Sequence, residues 1–393
     1  MRLKVLDSIT EVDASAWNAL DLGGRPFLRH EFLLAAEASG SAVANTGWRP
    51  RHLVLEESGS LVGAMPLYEK DHSWGEFVFD FAWARAYAEH GLPYYPKLVA
   101  ASPFTPATGP RLLVKSGAPA ARISELLLEG ADSLRRELGA SSVHCLFVEP
   151  GQRAWLEERG FLPRLDCQFH WHNRGYGEFE DFLAEFSAEK RKKARRERRR
   201  VTEQGIQMVE LHGGDLDRSM LETVYALHAS TFLARGNPPY FTLDFFRRLA
   251  RDLPGQLMIK LAMHHGEAVA VAIFLRGEDT LYGRYWGSTG LYHSLHFETC
   301  YHQGVEYCIR EGLSRFEPGT QGEHKIARGF RPTPVWSAHR LAHPAFAEAV
   351  AAYLARERQH IEAYLQAAED HVPFRRDLES SVLSVDGSAL HPR

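Results

Sequence analysis

The sequence predicts two tandem α/β units, each a mixed, largely antiparallel sheet flanked by helices. Three observations carry this. The chain of 393 residues is too long for one ordinary domain and suits two. Its hydrophobic content of 45% and charged content of 24% are globular averages and allow a large core. One order of elements also occurs twice: a hairpin, then a helix, then a strand. It falls at 51–67 with 120–148 in the first half, and at 257–275 with 296–317 in the second. The expected division is a first unit at 1–176, a basic helical connector at 177–205, a second, catalytic unit at 206–376 and a mobile tail at 377–393.

The first unit opens on a strand at 3–6. Two short helices follow near 13–20 and 30–38, the second with Phe32, Leu33, Ala36 and Glu37 at helical spacing. A hairpin crosses the polar break at 56–60, and the apolar run 77–81 reads as a strand. Segment 82–110 sets Trp83, Tyr87, Tyr94, Tyr95 and Phe104 among Pro93, Pro96, Pro103, Pro106 and Pro110. Prolines at that density oppose a regular ladder, so a loop is expected, either for binding or as a rigid lid of core aromatics. Then come a helix at 120–138 with Ile123, Leu126, Leu127, Ala131 and Leu134 on one face, a buried strand at 142–148, a helix at 152–159 and a strand at 168–172.

The second unit carries a three-strand meander at 257–263, 268–275 and 280–286, broken by polar turns. A helix at 296–311 buries Phe297, Tyr301, Val305 and Cys308 and stops at Gly312. A strand at 313–317 leads into a polar loop, 318–330. A helix at 345–368 is expected to pack on this unit.

Between the units, Phe179, Phe182, Leu183 and Phe186 form an apolar helical stripe. Nine of the eleven residues from Lys190 to Arg200 are basic. Ser187 is placed to cap a helix there, and Ala194, Glu197 and Val201 give it one thin non-basic stripe. Like charges at i and i+4 repel. That is easier to accept where an anion binds, although a solvated surface is the plain alternative.

Net charge is −4, which argues against a whole-molecule polyanion binder. Cys145, Cys167, Cys300 and Cys308 lie at apolar positions without C-x-x-C spacing, as free thiols in a reducing, cytoplasmic setting do. No signal peptide or membrane-spanning run is read. His170 and His172 share a strand face but lack a third ligand, so no metal is expected.

Five segments together resemble a known family: PATGPRLL at 106–113, SAEKRKKARRERR at 187–199, PYFTLDFF at 239–246, GEHKIARGF at 322–330 and SAH at 337–339. They look like the FemAB-like (peptidoglycan biosynthesis/recognition) predicted N-acyltransferases, a branch of the GNAT superfamily. The resemblance implies a double GNAT fold and transfer of an acyl or aminoacyl group to an amine. It also implies a basic helix that meets substrate phosphates, here Lys192, Lys193 and Arg196, and a lysine shortly before a Gly-Phe pair, here Lys325 before Gly329-Phe330. The Q/R-x-x-G-x-G/A loop that holds coenzyme A is missing after the third meander strand. Acyl-CoA and aminoacyl-tRNA both stand as co-substrates, with a small-molecule or peptide amine as acceptor and tRNA as a partner for the basic helix.

Amide formation needs a deprotonated amine, a stabilised carbonyl oxygen and reactants held together. Glu323 and His324 are the proton acceptors offered by the 318–330 loop, Lys325 its cation, with alternate residues sharing a face if the loop is extended. Glu298 is a further base candidate. Tyr285, Trp286 and Arg328 are placed to bind the donor. An RNA-binding or non-catalytic recognition protein on the same fold is the alternative.

Overall fold

The computed structural model describes residues 1–320 and 322–375, so the tail expected at 377–393 lies outside the described residues. The strands are β1 (Arg2–Leu6), β2 (Arg49–Pro50), β3 (His52–Glu57), β4 (Ser60–Met65), β5 (Leu67–Lys70), β6 (Lys97–Ala100), β7 (Leu113–Val114), β8 (Ser142–Val148), β9 (Leu162–His172), β10 (Gln207–His212), β11 (Leu257–His264), β12 (Glu267–Arg276), β13 (Thr280–Ser288), β14 (Arg315–Glu317) and β15 (Arg331–Leu341). A four-stranded sheet runs β1-β3-β4-β7. An eleven-stranded sheet runs β10-β11-β12-β13-β14-β9-β15-β8-β6-β5-β2.

The predicted meander forms as β11–β13. Its side chains alternate between two cores, as the strand period of two requires. Leu257, Ile259, Leu261, Val271 and Ile273 face the helices Arg218–Leu233 and Leu243–Asp252. Met258, Ala272, Phe274 and Leu281 face Tyr301, Val305 and Cys308 on the other side.

The repeat holds at the level of topology. In the second unit β13 pairs parallel with β14 after a helical crossover. In the first, β6 pairs parallel with β8 across the helix Ala120–Glu137. β6 lies inside the segment where a ladder-free loop was expected. Its four residues fit between Pro96 and Pro103 and so keep every N–H donor. The expected strand at 77–81 is also absent. A helix, Phe81–Glu89, begins there instead, because alanine alternates through it and Trp83 and Tyr87 bury on one face.

The two halves exchange strands. β9 and β15, eleven residues each, pair antiparallel at the centre of the large sheet. β9 then reaches β14 of the second unit, and β15 reaches β8 of the first. Each therefore covers an edge that would otherwise stand open. The helix Pro344–Glu369 lies along β9 and β15. It does not sit on the second unit alone. Val350 and Leu354 pack with Trp83, Tyr87 and Tyr94 of the first unit, and Ala368 with Phe182 and Phe186 beside the second.

Candidate active site at the parting of two strands

The parallel ladder of β13 and β14 runs only from Thr280–Arg315 to Tyr282–Glu317. Pro318 follows and supplies no N–H for another rung. β13 continues to Ser288, so the strands part. A Cβ on Gly283 would meet the Pro318 Cα at 3.1 Å, which explains the glycine at the fork. The opening holds a cavity of about 90 Å³, lined by Arg284, Tyr285, Trp286, His296, Cys300 and Pro318, among others. One wall is a π-helical turn, Glu298–His302, inside the predicted helix; such turns concentrate at functional sites.

The turn Glu323–Arg328 flanks this opening. It is a 3₁₀ helix, not the extended loop for which a shared face was expected. Three residues per turn send successive side chains in different directions. Glu323 points outward and accepts a hydrogen bond from Tyr364 Oη at 3.0 Å. His324 Nε2 lies 2.8 Å from Tyr301 Oη. Lys325 points inward, is 2% exposed, and donates from Nζ to the Gly319 carbonyl at 2.7 Å.

Burial pushes the Lys325 ammonium down to about 7, and only the thiols of Cys300 and Cys167 act in the other direction. Among the described residues no ion pair includes Lys325. The thiols stay protonated themselves; burial pushes Cys167 up to about 11. His296 is held down to about 4 by burial, with the charges of His324, Arg328 and Lys325 adding to it. His324 is lowered by burial and by Lys325 and Arg328. A neutral imidazole, His296, thus lines the opening, and the turn beside it carries His324 and one buried amine, Lys325, poised between protonation states, which suits proton donation or oxyanion stabilisation.

The basic helix, Ala188–Glu203, lies against this turn. Ala194, Glu197 and Val201 are buried, as their spacing predicts. Ser187 occupies the N-cap position, but its side chain makes no cap hydrogen bond, contrary to expectation. Glu197 accepts from Arg328 Nη2 at 2.7 Å, and His302 Nε2 lies 3.3 Å from its other oxygen. Burial works to raise this carboxyl; the hydrogen bond from His302 and the Arg328 charge outweigh it and hold Glu197 below the usual carboxylate range. Arg328 also covers the Phe297 ring at 3.3 Å.

Glu298 is buried, but Oε1 is engaged by Arg198 at 3.2 Å and by Gln303 at 2.7 Å. Arg195 pairs with Glu180, and Arg199 with Glu203. Lys192, Lys193 and Arg196 are exposed and form no ion pair among the described residues. Lys190, Glu323 and Tyr364 share a further cleft of about 380 Å³.

The structure therefore brings Tyr285 and Trp286 to the fork and sets His324 and Lys325 on the turn beside it, against Tyr301 and Gly319. It clasps the helix bearing Lys192, Lys193 and Arg196 to the same turn through Arg328. Glu323 is tied to Tyr364, and Glu298 to Arg198 and Gln303 through Oε1, while its Oε2 has no hydrogen-bond partner among the described residues. Sequence reasoning missed Cys167, Cys300 and Glu317. The one available signal was Pro318, which marks where a strand must end. His170 is buried, with Nε2 3.0 Å from Gln168 Oε1. No cluster of three metal-ligating side chains occurs among the described residues, and no helix there is long and apolar enough to cross a membrane.

Comparison with known proteins places the chain. The profile of the FemAB-like family, described as peptidoglycan biosynthesis/recognition, matches residues 8–376. No curated relative matches the sequence. The crystal structure of FemX superposes with a TM-score of 0.53 at 11% identity, covering 89% of this chain and 100% of that one. Two others fall below one half: L-PGS from Bacillus licheniformis, with a TM-score of 0.49 at 12% identity over 84% and 97% of the two chains, and a tandem GNAT protein from the clavulanic acid biosynthesis pathway, with 0.45 at 14% over 87% and 99%. At such identities the FemX likeness speaks for the fold alone, and the family match carries the assignment. The chain belongs to the FemAB-like family, described as peptidoglycan biosynthesis/recognition.

Proposed function

We propose that this protein moves an acyl or aminoacyl group from a phosphate-bearing donor to an amine of a peptidoglycan precursor, in the cytoplasm, by direct transfer. The observation that carries this is Lys325: a buried amine at the fork of two strands, on a turn clasped by the basic helix. The donor carbonyl lies in the fork, where Lys325 meets its oxygen as charge develops. The donor phosphates lie along Lys192, Lys193 and Arg196. Cations left without carboxylates favour a long polyanion, so aminoacyl-tRNA is preferred over acyl-CoA.

Transfer is measured from charged alanyl-, seryl- and glycyl-tRNA and from acetyl-CoA to a nucleotide-linked stem peptide. Lys192→Ala/Lys193→Ala/Arg196→Ala is expected to raise KM for the tRNA donor about ten- to a hundred-fold with kcat nearly kept. The slope of log affinity against log salt should fall by roughly two to three. An unchanged KM and salt slope would remove the basic helix from donor binding. Transfer from acetyl-CoA alone would make coenzyme A the carrier.

A further inference from the structure

Glu317 is the last residue of β14 and the last partner of the parallel ladder. It is 4% exposed, and neither carboxyl oxygen has a hydrogen-bond partner among the described residues. Arg315 Nε lies 3.2 Å from Oε1, yet its N–H is directed to Thr280 Oγ1. Buried polar groups are almost always bonded, so an orphaned carboxyl asks for a donor that arrives from outside. The hydroxyl of Tyr282, its ladder partner, is orphaned too. The charges acting on Glu317 are those of Arg315, Arg25 and Arg284, with Asp279 opposing them.

Glu317 shares the sheet face of Tyr282, which packs on Phe27 of the first unit. Phe316 points the other way, into the core that holds Phe330 and Cys300. Lys325 belongs to that second side and reaches back to Gly319, two residues beyond Glu317. The fork therefore has a buried amine on one face and, on the other, a carboxyl beside Arg315 that accepts no hydrogen bond among the described residues. A donor entering from the basic-helix face and an amine entering from the first-unit face would meet between them.

We propose that Glu317 is a catalytic residue that takes the proton of the acceptor amine; this rests on the transfer reading above. The acceptor arrives as an ammonium and gives one proton to the Glu317 carboxylate. The free amine attacks the donor carbonyl carbon, and the new C–N bond forms as the C–O or C–S bond to the carrier breaks. The second nitrogen proton leaves with the carrier, and Glu317 returns its proton to water. Burial pushes the Glu317 carboxyl up to about 7, where a base serves best near neutral pH.

The test uses full-length Glu317→Gln with whichever donor the wild type accepts. Two nucleophiles are compared: a lysine-bearing stem peptide, protonated at pH 7, and hydroxylamine, which is not. The variant is expected to lose about a hundred-fold or more in kcat with the peptide and the acid limb of its pH profile near 7. With hydroxylamine it should stay within about three-fold of wild type, which also shows that the fork is folded. Equal loss with both nucleophiles would make Glu317 structural, and no loss with either would make it idle; both overturn the proposal while transfer itself stands. A wild type that transfers from no donor overturns the transfer reading, and this assignment with it.

Discussion

Lys325→Met is expected to slow transfer by about two to three orders of magnitude and to make the protein more stable at neutral and acid pH. Lys325 is 2% exposed, with the Gly319 carbonyl as its hydrogen-bond partner. Its ammonium is pushed from 10.5 down to about 7, so the folded state favours the neutral amine. The unfolded chain binds that proton far more tightly. Below pH 7 the fold must carry a buried charge, and the destabilisation is complete; it is relieved as pH rises from 7 towards 10.5. Linkage sets the difference on the order of 5 kcal/mol, an upper figure for a site that can relax. Methionine keeps the stem and drops the charge. Thermal melts at pH 6 should place the variant several degrees above wild type, with the gap closing by pH 10. Turnover should fall roughly a hundred- to a thousand-fold, the usual loss when one donor to a developing oxyanion is removed. A variant that melts no higher at pH 6, or that keeps wild-type turnover, would contradict this account of the fork.

A polar group held at a cost in stability is a mark of function rather than folding. Lys325 and Glu317 both fit it, and neither environment was legible in the sequence. What the sequence carried was periodicity. The meander, the helix at Ala120–Glu137 and the basic helix all appear within a residue or two of their expected bounds, because apolar spacing decides them locally. The buried stripe of Ala194, Glu197 and Val201 was legible for the same reason. Proline misled in the first unit. It suggested no ladder where β6 runs, and β15, absent from the expected strands, contains Pro332 and Pro334. These two precede the ladder to β8, which begins at Trp336, so their missing N–H groups fall where one edge is free. The exchange of β9 and β15 is a tertiary fact with no local signature. So is the dispersal of Glu323, His324 and Lys325, which follows from one helical turn where an extended loop was equally compatible with the residues.

Glu197→Ala is expected to be the most destabilising single change at the connector. Glu197 is the one acid between Lys190 and Arg200, and it is 7% exposed. Its removal strands Arg328, itself 5% exposed and bonded to Glu197 at 2.7 Å, and leaves His302 without its carboxylate. Breaking a buried pair from one side typically costs about 3–5 kcal/mol, because the remaining charge stays desolvated. The folded carboxyl is held below its usual range, so this stabilisation is present above the unfolded value of 4.5 and fades as pH falls beneath it. Denaturant titration at pH 7 should show the full loss, and at pH 4 a smaller one. The double variant Glu197→Ala/Arg328→Leu should recover part of it, since no orphaned cation remains. Transfer reports separately. With Lys192, Lys193 and Arg196 untouched, the single variant should still raise the donor KM, because the helix that carries them is no longer clasped to the Lys325 turn. A donor KM equal to wild type, measured where the variant is folded, would show that the clasp steadies the fold without aligning the two halves of the site.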